Sequence, residues 1–579
     1  MNDIAASRRR FITGFAQLGL GSSLLPGVLW AQMEHTGTRR VSPGMMKSAA
    51  ALSGLELSDA DCETIAESVN ENFERITALH SVRIPNDVAP PFYFSPLVPG
   101  MRVERAQLPF RTSKVSGLRR PADLEEIAFW PVRRLAELVR TRAVTSTELT
   151  RMYLSRLHRY NPKLNCVVSF LDDVALAQAK KADAEIAAGR YRGPLHGIPW
   201  GAKDIMAFKG HKTTWGSAVY SDRVIDETAT VIRLLSEYGA VLLAKLSTGE
   251  LAGGDQWFGG RTNNPWNLDE GSSGSSAGSA CATAAGCVAF ALGTETSGSI
   301  LSPSGRCGAT GLRPTFGRVS RYGVMALSWT QDRIGPICRD VEDCALVMNV
   351  IARPDGRDLS VSELPFNWDA GLDLRRVRVG YVKEAFADAD RYPEWVRNDH
   401  DSIEQLRSLG FDLSPVTLPD FPTESLRLSV EAAVFHDELL RSGQYKQMTN
   451  PSRGERMLAS RLIPAVEYLQ SQRLRSMMMQ QLAHATAGVD VYLAPSTHGA
   501  PRNRTTDAPA SRSRDHFNMA NLACYPALAV PNGFTSAGTP TSISFMARPY
   551  REAELLAVAK AYQDATGFNT RQPPAFAAA

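Results

Sequence analysis

The chain has 579 residues, with 64 Lys+Arg against 60 Asp+Glu and a formal net charge of +4. Its hydrophobic share of 44% and charged share of 21% exclude disordered, collagen-like and coiled-coil chains. The near balance of charge leaves no electrostatic footprint for nucleic acid or an anionic surface.

At the N-terminus, Ser7-Arg8-Arg9-Arg10-Phe11-Ile12 forms a twin-arginine pattern, and no charge follows from Phe11 to Met33. Residues 1–31 therefore read as a Tat-type signal segment, which implies export to the periplasm or the extracellular space. Stable membrane insertion is expected only if that segment is retained, since no other uncharged run is long enough to span a bilayer. A helix is predicted after Ser58, which with Asp61 resembles a capping box. Ile65, Val69, Phe73, Ile76 and Leu79 continue it at helical spacing. Pro85, Pro90, Pro91, Pro96 and Pro99 then forbid helix. Residues 51–125 are expected to form an N-terminal helical and extended appendage.

From residue 127 helical and short apolar segments alternate. Helices are predicted over Leu135–Leu157, Asp173–Ala188 and Glu552–Ala565, and buried strands over 240–244, 489–494, 527–530 and 542–546. Strands separated by helices predict an α/β domain over 127–575, a sheet covered by helices on both faces. Residues 355–485 lack glycine-rich signals and are expected to be the variable part that lines a substrate pocket. The eight cysteines are too sparse for a disulfide scaffold. Cys281 and Cys287, six residues apart in a predicted helix, would stand about 9 Å apart along its axis, too far to bridge. All are read as small buried residues.

The most unusual segment is 271–304, GSSGSSAGSACATAAGCVAFALGTETSGSILSPS, with two Gly/Ser-rich loops around the apolar stretch Ala280–Leu292. A linker would not border a segment this apolar. A phosphate cradle lacks the Lys-Ser/Thr that must follow its glycines, and the G-x-G-x-x-G order is absent. Gly274-Ser275-Ser276-Ala277-Gly278 matches G-x-S-x-G literally, but residues 263–270 before it are loop chemistry, where a nucleophile elbow needs a strand. A lysine, Lys203, follows the Gly-bounded apolar stretch Gly197–Ala202. Burying an ammonium costs several kcal/mol, and that penalty frees the neutral amine to act as a base; a surface lysine paired with a carboxylate is the bland alternative.

These blocks together resemble the amidase signature family over roughly 127–570. The matching segments are LHGIPWGAKD (195–204), residues 270–324, DRIGP (332–336) and NLACYPALAVPNGF (521–534). The resemblance implies the amidase signature fold, a large mixed, twisted sheet. It implies hydrolysis of R–CO–NH–R′ through a serine acyl-enzyme. Ser299 stands at the nucleophile, Ser275 at a relay serine with a cis peptide, and Lys203 at the base. The backbone N–H groups of Thr296, Ser297, Gly298 and Ser299 stand at the oxyanion hole, with Gly253 and Ser276 as substrate contacts. Asp204, Thr294, Asp332 and Arg313 are read as structural ties.

No metal, cofactor or nucleic-acid partner is implied; the partner is a small-molecule amide. Two departures stand out: Ser297 occupies a position usually glycine, and Leu301 one where arginine is frequent. A second activity suggested by the resemblance is that of a glutamine amidohydrolase component of a tRNA-dependent amidotransferase. The export pattern and the absent basic excess argue against it.

Overall fold

The computed structural model describes residues 40–82, 94–387, 392–426, 429–496 and 515–577, so the predicted signal segment 1–31 and most of the proline-rich run lie outside the described residues. The chain divides into two units, one drawn from 1–91 with 422–476, the other from 92–421 with 477–579.

In the smaller unit the expected helix runs Asp59–His80. Ser58 Oγ accepts the Asp61 N–H at 3.1 Å while the Asp61 carboxylate accepts the Ser58 N–H at 3.0 Å, the reciprocal cap read from the sequence. This helix packs against Pro43–Leu52 and Pro451–Ser460. Lys446 Nζ lies 2.6 Å from Asp61. Burial opposes ionisation of that carboxyl, but Lys446 and Ser58 draw it down to about 2. Residues 422–476, expected within the variable part of the main domain, thus group with the N-terminal helices. Residues 94–125 group instead with the larger unit. There the Arg111 N–H donates to the Trp368 carbonyl, the Arg111 carbonyl accepts the Ala370 N–H, and the Ser113 N–H reaches Glu342 Oε1 at 2.6 Å.

Among the described residues, the larger unit is built on one sheet of eleven strands. In chain order these are β1 Val167–Phe170, β2 Pro199–Lys203, β3 Val241–Leu246, β4 Phe290–Glu295, β5 Thr310–Arg313 and β6 Arg333–Cys338. They continue with β7 Val379–Val382, β8 Leu413–Val416, β9 Val491–Pro495, β10 Ala527–Phe534 and β11 Pro540–Ala547. The spatial order is β1-β3-β2-β4-β6-β5-β10-β11-β9-β7-β8. β2 is parallel to both β3 and β4, and β7 to both β8 and β9; the remaining pairs are antiparallel, so the sheet is mixed. Every residue of β2, β3, β4, β6 and β11 is buried, which requires cover on both faces of the sheet's middle. Helix Ala277–Ala284 packs on β2, β3, β4 and β6, and Glu552–Thr566 on β9, β10 and β11.

The predicted helix Leu135–Leu157 is instead two, Val132–Arg140 and Ser146–Leu164. Arg142 between them takes φ +60°, and Thr145 with Glu148 forms a second capping box that restarts the chain. All eight cysteines are buried thiols without a disulfide. Among the described residues no helix is long and apolar enough to cross a membrane.

Candidate active site

The site forms where β2 and β4 lie side by side and parallel. Lys203 is the last residue of β2 and is fully buried. Its Nζ stands 2.8 Å from Ser275 Oγ, 3.1 Å from Ser276 Oγ, 2.9 Å from Thr294 Oγ1 and 3.4 Å from the Thr294 carbonyl. A second buried lysine, Lys245 on β3, behaves differently. It pairs with the buried Asp204 carboxylate at 2.8 Å, and Asp204 Oδ2 also accepts the Thr214 N–H at 2.9 Å. Asp204 is thus the structural tie expected, and its charge is neutralised by Lys245.

Ser275 and Ser276 precede helix Ala277–Ala284, with Ser276 at its N-cap. The Gly274–Ser275 peptide bond is cis. Gly274 admits no side chain, because a Cβ there would stand 1.8 Å from the Gly254 carbonyl oxygen. The turn that presents Gly254 holds Leu251 at φ +46° and Ala252 at φ +59°, left-handed conformations uncommon for residues with a Cβ. Gly253, expected as a substrate contact, is partly exposed one residue before that close approach. The strand preceding Gly274, Asn267–Gly271, pairs only with Asn263–Asn264 in a small ribbon outside the main sheet. The support a nucleophile elbow needs is therefore missing.

Ser276 is committed on both sides. Its Oγ accepts the Thr294 N–H at 3.1 Å and donates to the Thr294 carbonyl at 3.1 Å, while its own N–H donates to the Ser299 carbonyl at 3.1 Å. That last bond ties the Ser275 loop to the Ser299 loop. Burial falls from the interior outward: Lys203 is 0% exposed and Ser275 1%, while Ser299 is partly exposed. Thr294, read from the sequence as a structural tie, sets its hydroxyl directly against the amine.

The loop carrying Ser299 is clamped from behind. Glu295, the fully buried last residue of β4, accepts the N–H groups of Ile300 at 2.8 Å and Leu301 at 3.0 Å on one oxygen. Its other oxygen accepts from buried Arg313 at 2.8 Å. Burial alone would raise this carboxyl, but Arg313, Arg333 and the Leu301 N–H outweigh it and hold it below the ordinary range. The Thr296 carbonyl accepts from Asn521 Nδ2 at 2.8 Å and Arg333 Nη2 at 2.9 Å, and the Thr296 hydroxyl donates to Asp332. Gly298 takes φ +90°, and its carbonyl accepts the Ser302 N–H at 2.8 Å. Ser297 is exposed, so a residue larger than glycine fits there.

Sequence reasoning missed Glu295, Arg333 and Asn521. The available signal was an acid closing a strand that is apolar but for Thr294, with arginines at 313 and 333 in neighbouring apolar segments, a pattern that signals buried pairs.

Asp332 extends the clamp outward, accepting the Leu327 and Ser328 N–H groups at 2.7 and 2.9 Å. Burial pushes its carboxyl up. Arg321 secures the same loop through the Trp329 carbonyl and is itself paired with Asp358 at 3.0 Å. Burial opposes ionisation of Asp358, yet Arg321 and Ser360 hold it at about 2. A carboxyl depressed on folding adds stability above its unfolded pKa and loses it as pH falls through the folded value. Asp358→Asn is therefore expected to lower Tm near neutrality, with the gap from the parent closing between about pH 4 and about pH 2. Thermal unfolding across that range measures it, and a constant gap would refute the ionic origin.

The chain matches the family described as Amidase over residues 148–556. It is 33% identical to a glutamyl-tRNA(Gln) amidotransferase subunit from Geobacter metallireducens, covering 76% of this chain and 98% of that one. Among solved structures, the native peptide amidase from Stenotrophomonas maltophilia superposes with a TM-score of 0.68 at 30% identity, over 78% of this chain and 100% of that one. A 6-aminohexanoate cyclic dimer hydrolase with bound substrate shares the fold at a TM-score of 0.67 and 22% identity, over 78% of this chain and 99% of that one.

Proposed function

The chain belongs to the amidase family and is an amidohydrolase, and on that premise we propose that Ser299 is its nucleophile, Ser275 its proton relay and Lys203 its base. The observation that carries this reading is the placement of a fully buried amine 2.8 Å from Ser275 Oγ, on a loop hydrogen-bonded to the Ser299 backbone.

A neutral amine has two N–H donors and one lone pair. Ser276 Oγ has its proton directed at the Thr294 carbonyl, so toward Lys203 it can only accept. With Ser276 and Thr294 oxygens taking the two N–H groups, the lone pair faces the Ser275 hydroxyl. Attack of Ser299 Oγ on the amide carbonyl carbon sends the Ser299 proton to Ser275 Oγ as the Ser275 proton moves to Lys203 Nζ. Collapse of the tetrahedral species breaks the C–N bond, and the proton returns through Ser275 to the departing amine. Water then repeats the sequence on the acyl-enzyme and frees the carboxylic acid and Ser299.

The oxyanion donors proposed are the backbone N–H groups of Thr296, Ser297, Gly298 and Ser299. Support comes from the clamp, which directs the N–H groups of Ile300 and Leu301 to Glu295 on the other side of the loop. Gly253 is proposed at the substrate, whereas Ser276, expected there from the sequence, is fully buried with its hydroxyl and N–H already engaged and acts through Lys203 instead. A panel of C-terminal peptide, fatty and aryl amides, assayed with the parent and with Ser299→Ala, tests the reading. Cleavage that survives in Ser299→Ala would refute it.

The likeness to a tRNA-dependent amidotransferase supports a second reading, glutamine hydrolysis feeding a tRNA-bound amino acid. The twin-arginine pattern and the +4 net charge speak against it. Ammonia release from glutamine that rises on adding charged tRNA would favour it. We propose further that residues 1–31 direct export. Replacing Arg8 and Arg9 by lysine is expected to leave the protein in the cytoplasmic fraction, and unchanged export would remove that proposal.

A further inference from the structure

We infer that Glu295 is a positioning residue, one that shapes the loop carrying the oxyanion donors without touching substrate; this rests on the reading of Ser299 as nucleophile. The chain from Thr296 to Leu301 bends around a single carboxylate. One oxygen gathers the N–H groups of residues five and six positions downstream, and the other is locked to Arg313. Arg313 is in turn fixed by the Asn521 side chain at 3.0 Å and the Tyr525 carbonyl at 3.0 Å. Asn521 also holds the Thr296 carbonyl, so the start and end of the loop are referred to one buried network.

Two consecutive N–H groups drawn inward to an anion orient the preceding peptide planes, a nest-like geometry. Between them and Thr296, Gly298 supplies the left-handed residue that reverses the chain. The consequence is a division of donors. Those of Ile300 and Leu301 serve Glu295, and among the described residues no protein acceptor takes the N–H of Ser297, Gly298 or Ser299. A carboxamide cannot replace the carboxylate here. Turned either way, its NH2 group meets an N–H donor, either the backbone pair or the Arg313 guanidinium.

The test is steady-state kinetics on the full chain for Glu295→Gln and Glu295→Asp, beside Ser299→Ala, with circular dichroism to establish folding. A boronic acid that forms a tetrahedral adduct serves as the transition-state probe. For Glu295→Gln, kcat is expected to fall about 100-fold, the scale of one lost oxyanion donor, with KM within about threefold and boronate affinity falling in step with kcat. Glu295→Asp keeps the charge on Arg313 but withdraws the oxygens from the loop by about one C–C bond, ~1.5 Å, and should fall between.

A folded Glu295→Gln with parental kcat overturns the inference, as does a loss confined to KM. Should the glutamine variant not fold, the aspartate variant decides: an unchanged kcat overturns the inference, and a reduced kcat matched by weaker boronate binding supports it. Failure of the underlying reading is seen separately, as turnover that persists in Ser299→Ala.

Discussion

Ser299→Ala is expected to lower kcat by about 10⁴-fold or more while leaving the fold and substrate affinity almost unchanged. The magnitude follows from what the hydroxyl would supply. Without it no acyl-enzyme forms, and only the donors of the loop and the positioning of substrate remain to accelerate direct attack by water. The structural cost is small, because Ser299 is partly exposed and its backbone carbonyl, not its side chain, holds the Ser276 N–H. Burst kinetics with a chromogenic amide and a Tm comparison check both halves. A variant that unfolds, or that keeps more than a few per cent of the rate, would disagree.

Lys203→Ala is the second large effect, with kcat expected to fall about 10³- to 10⁴-fold, the upper range for loss of a general base. Residual activity should climb with pH as hydroxide substitutes for the amine. Stability suffers as well. Truncation leaves a cavity and removes the donor shared by Ser276 Oγ and the two Thr294 oxygens in a fully buried setting. Lys203→Met, which fills the space, should recover much of the Tm and none of the rate. Recovery of rate in the methionine variant would show that the lysine serves packing alone.

How much of this was legible without coordinates depended on how local the signal was. β3, β9 and β10 were readable because each carries an apolar run, β11 because Ile543 and Phe545 alternate with serines, and the 58–80 helix because Ser58 and Asp61 announce its start. β2 was not recognised as a strand: it opens at Pro199, contains Gly201 and ends on a lysine, so its texture is that of a turn. Only pairing with β3 and β4 on either side makes it the innermost strand of the site. The break after Arg140 was foreseeable, since Thr145 and Glu148 repeat the capping spacing found at Ser58, but the apolar periodicity runs on across it.

The grouping of 422–476 with the N-terminal helices depends on contacts such as Lys446 with Asp61, separated by hundreds of residues and invisible to any window of sequence. At the site, Lys203, Ser275 and Ser299 came from matching blocks, and the structure adds where they lie. Thr294 beside the amine and Glu295 behind the loop required geometry. The threonine has no distinctive pattern and the acid only the hint of arginines in neighbouring apolar segments; their meaning comes from a neighbour strand 91 residues away in sequence for one and from Arg313 for the other.

The most direct measurement is the site of covalent modification by a fluorophosphonate, read by intact mass and peptide mapping in the parent, Lys203→Ala and Ser299→Ala proteins. The expected outcome is a single adduct on Ser299, formed far more slowly without Lys203 and not at all in Ser299→Ala. An adduct on Ser276 or Ser275 with Ser299 intact, or labelling at an equal rate without the lysine, would contradict it.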